Sequence, residues 1–151
     1  MLRRSDVVRK ELAFLPPRTS AEAAYGEGSY DAATTEATYG ELLRRAGRAL
    51  ESGESVILDA SWSRERYRAA ARSLGHRLVA PVLEVQATCP VPLSADRLRD
   101  RRTRGTDASD ATAAVLEAMA SAFEPWPAAA PLNTSQSLAG SERVLAELLR
   151  R

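Results

Sequence analysis

Chemically versatile side chains are scarce in this chain: it has one cysteine, Cys89, one histidine, His76, and one lysine, Lys10. The lone cysteine excludes an internal disulfide and a multi-cysteine metal site, and the lone histidine excludes His-pair zinc motifs. Long apolar runs are missing as well. None approaches the roughly 18 residues of a membrane span, and the first residues lack the apolar core of a signal peptide, so a cytoplasmic protein without membrane contact is expected. Excess charge is absent too, at +1 formally, which argues against unselective binding to polyanions. Of 21 basic residues all but Lys10 are arginine, a bias that fits base composition better than function.

What is present is an alternation of strands and helices within a length of 151 residues, which fits one domain, 1–151. Gly53 closes a helix, and Ser55-Val56-Ile57-Leu58-Asp59-Ala60 follows as a short strand buried on both faces. Met1 to Arg4 reads as the end of an earlier strand, and Ser5 and Asp6 as the cap of a helix carrying Val7, Val8 and Leu12 that Pro16 and Pro17 stop. Arg18 to Ala33 is an aperiodic loop long enough for a substrate lid. Helical spacing recurs from about Thr34 to Glu51, and again from a Ser63 cap to Gly75. Pro81 to Ala87 is a second apolar strand, and a helix from about Pro92 runs into the arginines at 97, 99, 101, 102 and 104. Asp107, Ser109 and Asp110 offer caps for a helix bearing Val115, Leu116, Met119 and Phe123; Pro131 to Thr134 is a short strand, and Ser141 to Arg150 a closing helix. Such alternation indicates α/β architecture, a parallel sheet covered by helices on both faces.

Several residues invite a chemical role, each against a plain structural one. Asp59, at the carboxyl end of a strand, stands where open α/β sheets bind ligands, or else it organises the turn that follows. Asp6 and Arg9, at i and i+3, share a helix face and can converge on one ligand; alternatively Asp6 caps the helix and Arg9 is solvated. The arginine cluster is either a clamp for anions or a solvated helix face. Trp62 and Trp126 fit a base or sugar pocket less well than ordinary packing, Cys89 reads as a small apolar residue, and His76 carries no chemical argument.

Four pieces stand in one order: Arg4-Ser5-Asp6-Val7-Val8-Arg9, Val56-Ile57-Leu58-Asp59-Ala60, Arg97 to Arg104, and Asp107-Ala108-Ser109-Asp110. Together they resemble the small P-loop kinases related to polynucleotide and gluconate kinases, and most closely the bacterial AAA-type ATP-binding domain found alone or fused to an aminoglycoside-phosphotransferase-like domain. The resemblance implies a three-layer P-loop NTPase-like fold and an ATP- and magnesium-dependent transfer to a hydroxyl of a small molecule or a nucleic-acid end. It implies that Asp6 accepts the hydroxyl proton, that Arg9 and Arg4 hold the substrate, and that Asp59 positions magnesium directly or through water. Arg97, Arg101, Arg102 and Arg104, in a lid over residues 92–110, would clamp the transferring phosphoryl group, Arg101 with a catalytic part.

The defining element of that family, a strand followed by Gly-x-x-x-x-Gly-Lys-Ser/Thr, does not occur: the single lysine, Lys10, follows Arg9. The expectation is therefore a P-loop-like sheet lacking its first strand, phosphate loop and first helix, with a gap between the strand ending at Asp59 and the strand at Val82 to Ala87. An upstream segment, as in a truncated or mis-started reading frame, or another chain would fill it. As given, the chain is expected to be inactive as a kinase; the alternative is a non-catalytic remnant or interaction domain that binds a partner without ATP turnover.

Overall fold

A computed structural model of the chain describes residues 1–16, 31–104 and 113–150, apart from the side chains of Arg102, Arg104, Ala113 and Leu116. The loop expected between Arg18 and Ala33 falls almost wholly outside them, as do the caps expected at Asp107, Ser109 and Asp110. The elements in chain order are β1 (Leu2–Arg4), α1 (Ser5–Leu12), α2 (Ala32–Glu51), β2 (Ile57–Asp59), α3 (Glu65–Arg77), β3 (Val85–Thr88), α4 (Val91–Arg104), α5 (Ala113–Ser121), β4 (Ala130–Asn133) and α6 (Leu138–Leu148).

Strand pairing is parallel throughout, but the described residues form two sheets rather than the one expected. β1 pairs with β2, Leu2 opposite Ile57 and Arg4 opposite Asp59; β3 pairs with β4, Val85 opposite Ala130 and Thr88 opposite Asn133. This corrects the expectation of a strand at 55–60 buried on both faces. Leu58 packs against the core, whereas Ile57 is 66% exposed, because a two-stranded sheet leaves its second face and outer edge uncovered.

The core beside the first sheet joins α1, α2 and α3 through Val8, Tyr39, Leu42 and Tyr67, with Leu58, Ala60 and Trp62 packed against it. Tyr39 and Tyr67 stack with ring centroids 3.9 Å apart, and Trp62 meets Tyr39 edge-on at 5.2 Å. α2 ends as its sequence requires: Gly53 takes a left-handed φ of 79°, and the Glu54 amide bonds back to the Ala49 carbonyl.

Other helix boundaries differ from expectation for identifiable reasons. Ser5 and Asp6 lie inside α1, whose cap position is Arg4 with no side-chain capping bond. Ser63 does not cap α3; the Glu124 carboxylate does so from far along the chain, accepting the Glu65 amide and the Arg64 guanidinium. Gly75 does not end α3 but lies buried within it, because Ala80 and Val82 press on that spot as the chain returns toward β3. The strand expected at Pro81 to Ala87 begins only at Val85.

Candidate active site

β1 and β2 both end at charged residues, and their register puts these side by side. The Arg4 Nε donates to Asp59 Oδ2 at 3.2 Å. The pair is solvent-facing, with the Asp59 side chain 59% exposed, so it holds the two groups in place more than it stabilises the fold, at most about 1 kcal/mol. α1 starts directly after Arg4 and therefore carries Asp6 and Arg9 away from the same strand ends. Arg9 is buried between α1 and α2, where its Nη1 donates to the Thr35 hydroxyl at 3.4 Å.

The start of α2 supplies groups that the sequence reading did not single out. Asp31 is the helix cap: its carboxylate accepts the Thr34 amide at 2.7 Å and the Thr34 hydroxyl at 3.0 Å. Those bonds hold Asp31 below its ordinary range, the Thr34 amide most strongly, with the positive charge of Arg9 a minor aid. The signal was available, since an Asp three residues before a Thr at the head of an amphipathic run is a capping pattern.

The turn leaving Asp59 is fixed by Tyr39. Its buried phenol accepts the Trp62 amide at 3.0 Å and shares a hydrogen bond with Ser61 at 3.2 Å, and burial pushes its ionisation upward, so the group stays a neutral hydroxyl. Trp62 has a left-handed φ of 50°, rare for a bulky residue, and its indole Nε1 donates to the Leu58 carbonyl. Strain of this kind persists only where surroundings over-determine it. Here they fix the backbone immediately after Asp59.

Of the expected lid arginines, Arg97 has its described contacts at the end of β4. Arg97 on α4 donates to the hydroxyl and the carbonyl of Thr134, at 3.1 and 2.6 Å, tying α4 to the end of β4. Arg101 is exposed on the same helix, and the side chains of Arg102 and Arg104 lie outside the described residues. Trp126 donates its indole N–H to Glu84 and sits against Arg68, which makes it a packing residue.

The described donors do not make a metal site or a nucleotide cradle of their own. No group of three or more His, Cys, Asp or Glu comes together among the described residues, and Asp59 is already engaged by Arg4. Magnesium bound beside phosphates takes one or two carboxylates and fills its remaining positions with phosphate oxygens and water. Asp59 fits such a supporting position but not a site by itself. Nothing in the sequence supplies the Gly-Lys loop that would hold the phosphates.

A family model described as an AAA domain matches residues 3–126, from β1 to the residues just past α5. The chain belongs to this AAA domain family. The AAA domain is P-loop NTPase-like, in keeping with the mixed helix and strand content and the parallel pairing found here. Among curated proteins the chain is similar to the uncharacterized proteins Mb2027c of Mycobacterium bovis and Rv2004c of Mycobacterium tuberculosis, each 33% identical over 131 residues. The match takes in 87% of this chain but 26% of either relative, so this AAA domain spans about a quarter of their length. No solved structure matches it. Among the described residues no helix is long and apolar enough to cross a membrane.

Proposed function

We propose that this AAA domain is the acceptor-side part of an ATP-dependent, kinase-like phosphotransferase acting on a hydroxyl of a small molecule or a nucleic-acid end in the cytoplasm. The observation that carries the reading is the juxtaposition of Arg4 and Asp59 at neighbouring strand ends, with Asp6 and Arg9 on the helix that leaves them. In this reading Asp6 accepts the proton of the substrate hydroxyl, Arg9 and Arg4 orient the substrate, and Asp59 sits where magnesium or its water belongs. Arg97, Arg101, Arg102 and Arg104 form the lid. Such transfer depends on positioning and charge stabilisation, which guanidinium groups and fixed carboxylates provide. The nucleotide itself needs a phosphate-binding loop that residues 1–151 do not contain, and in this reading the chain alone does not turn over ATP.

Calorimetric titration with ATP and magnesium tests this, on the chain as it stands and on a version extended at its amino end by a strand and a Gly-Lys-Ser loop. Binding by the extended form alone supports the reading. Binding by the chain alone would show a different phosphate site. Binding by neither would favour a non-catalytic domain that recognises a partner without ATP turnover.

A further inference from the structure

α2 is a helix of 20 residues whose core face is taken by Thr38, Tyr39, Leu42, Ala46 and Ala49. Beside that face Gly40, Leu43, Gly47 and Glu51 recur at helical spacing and line one side of a groove. α3 forms the other side with Ala70, Ser73, Leu74 and Arg77. At Gly47 the two helices are in contact, since a Cβ there would stand 3.5 Å from Leu74 Cδ1. At Gly40 the groove stands open, and a Cβ would meet nothing within 4 Å. The groove has a volume of about 500 Å³. From Gly40 to Glu51 it follows α2 for about 16 Å, or roughly three helical turns.

The rim of this groove is cationic: Arg44 and Arg48 stand on the α2 side and Arg77 on the α3 side, against the single carboxylate of Glu51. Elsewhere on these two helices arginines are matched by acids. Arg44 and Arg45 meet Glu41, Arg66 meets Glu36, and Arg68 and Arg72 meet Glu65. Arg48 and Arg77 are the exceptions. Both are exposed, and among the described residues neither guanidinium has a hydrogen bond or an ion pair. The two unmatched cations of α2 and α3 therefore lie on the same groove, one on each wall, beside an apolar floor of half-buried Leu43 and Leu74.

A trough between two packed helices, open to solvent and three turns long, has the shape that receives a third helix, whose side-chain ridge lies in it. We infer that the α2–α3 groove is a docking site for an acidic amphipathic helix of a partner protein. The partner lays small apolar side chains on Leu43, Gly47 and Leu74 and sets carboxylates opposite Arg48 and Arg77. Arginine suits this task, because its fork meets a carboxylate with two parallel hydrogen bonds. Rim charges of this kind fix the choice of partner and speed its association, so the complex should weaken as salt is raised. The groove shares no residue with the cluster at Arg4, Asp6, Arg9 and Asp59, and the inference holds whether or not the domain transfers phosphate.

The probe is a fluorescent synthetic peptide of about 15 residues, long enough to hold a helix, with alanine and leucine at helical spacing on one face and glutamate on both flanks. Its controls carry glutamine, or lysine, in place of every glutamate. Binding to the intact chain is read by anisotropy and located by amide NMR shifts. The acidic peptide should bind about tenfold more tightly than the glutamine peptide, the lysine peptide should not bind, and the shifts should fall at Gly40, Gly47, Ala70 and Ser73. Arg48→Gln combined with Arg77→Gln should cost the acidic peptide about tenfold, the sum of two exposed ion pairs. Gly40→Gln, which fills the open end of the groove, should weaken the acidic and glutamine peptides alike. None of these exposed substitutions removes a described side-chain bond, so Tm should hold; should the double variant unfold, Gly40→Gln and the three peptides decide. Equal binding of acidic and glutamine peptides, binding that both variants leave intact, or no binding of the acidic peptide overturns the inference. Two further results do so as well. Inorganic triphosphate moving these amides where the peptide does not would make the groove a site for small anions, and shifts that grow with protein concentration alone would make it a contact between copies of this chain.

Discussion

The Nη1 of Arg68 donates to the carbonyl oxygen of Glu124 at 3.1 Å, from a side chain with no solvent exposure. Its Nη2 donates to the Pro125 carbonyl, its Nε to Glu65, and its guanidinium lies 5.6 Å from the Phe123 ring and 5.1 Å from that of Trp126. One residue of α3 thus fastens the segment between α5 and β4. Arg68→Met preserves much of the volume but strands two carbonyls, each worth about 1–3 kcal/mol when left unpaired. Urea denaturation should show a loss of about 3 kcal/mol. Arg68→Lys keeps the charge but lacks the planar fork that spans both carbonyls, and should lose an intermediate amount.

Tyr39→Phe isolates the hydroxyl that pins the turn after Asp59. The Trp62 amide and Ser61 lose their partner while the ring contacts with Trp62 and Tyr67 remain. The expected cost is about 1–2 kcal/mol, a fall in Tm of about 3–6 °C for a chain of this size. Tryptophan emission should change at the same time, since Trp62 would no longer be held in its left-handed conformation. A variant with unchanged Tm and emission would show that the turn is fixed without the phenol.

The order of elements was legible because each strand and helix carries its own periodicity, and Gly53 marks the end of α2 by a backbone requirement that the sequence displays. What could not be read was set at long range. The cap of α3 comes from Glu124, not from neighbouring Ser63, and Gly75 lies inside the helix because Val82 packs on it. A run as apolar as Val56-Ile57-Leu58 reads as doubly buried; whether anything covers Ile57 depends on strands elsewhere. At the site, the Asp-x-x-Arg spacing drew attention to Asp6 and Arg9, but Thr35 and Tyr39 enter through the packing of α1 on α2 and of α2 on the turn after β2.

Two helical glycines should respond oppositely to alanine. A Cβ at Gly40 meets nothing within 4 Å, so Gly40→Ala gains helix propensity, about 0.5–1 kcal/mol. At Gly75 it would stand 2.2 Å from Val82 Cγ2 and 2.9 Å from the Ala80 carbonyl oxygen. Backbone must shift to accept it, so Gly75→Ala should cost about 1–3 kcal/mol despite the same propensity gain. Thermal melts of the two variants check the contrast.

Acid should weaken the fold in a defined window. Hydrogen bonds from Arg44 and Arg45 hold the Glu41 carboxyl down to about 2, against an ordinary value of 4.5, and Glu124 is lowered first by the Glu65 amide and then by Arg64. A depressed carboxylate stabilises the folded chain fully above its unfolded value and loses that contribution as pH falls through the folded one. Tm should therefore decline between about pH 4.5 and 2. Glu41→Gln should lower Tm at neutral pH and flatten that decline. A pH dependence identical to that of the parent would remove Glu41 from the explanation.

The two carboxylates at the strand ends separate stability from chemistry. Asp59→Asn weakens an exposed pair with Arg4, so its effect on unfolding should stay within about 0.5 kcal/mol. In the extended form carrying a phosphate loop, Asp59→Asn should lower phosphoryl transfer with nucleotide binding also weakened, if the carboxylate has the proposed place beside magnesium and the phosphates. Asp6→Asn should lower kcat by about 100-fold to 10,000-fold, the range of a lost general base, and leave ATP affinity unchanged, as its proposed role toward the acceptor hydroxyl requires. Titration calorimetry and a phosphate-transfer assay on the same preparations resolve the two. If either variant transfers phosphate at the parent rate, that residue leaves the active site; if both do, the cluster at Arg4 and Asp59 only joins β1 to β2.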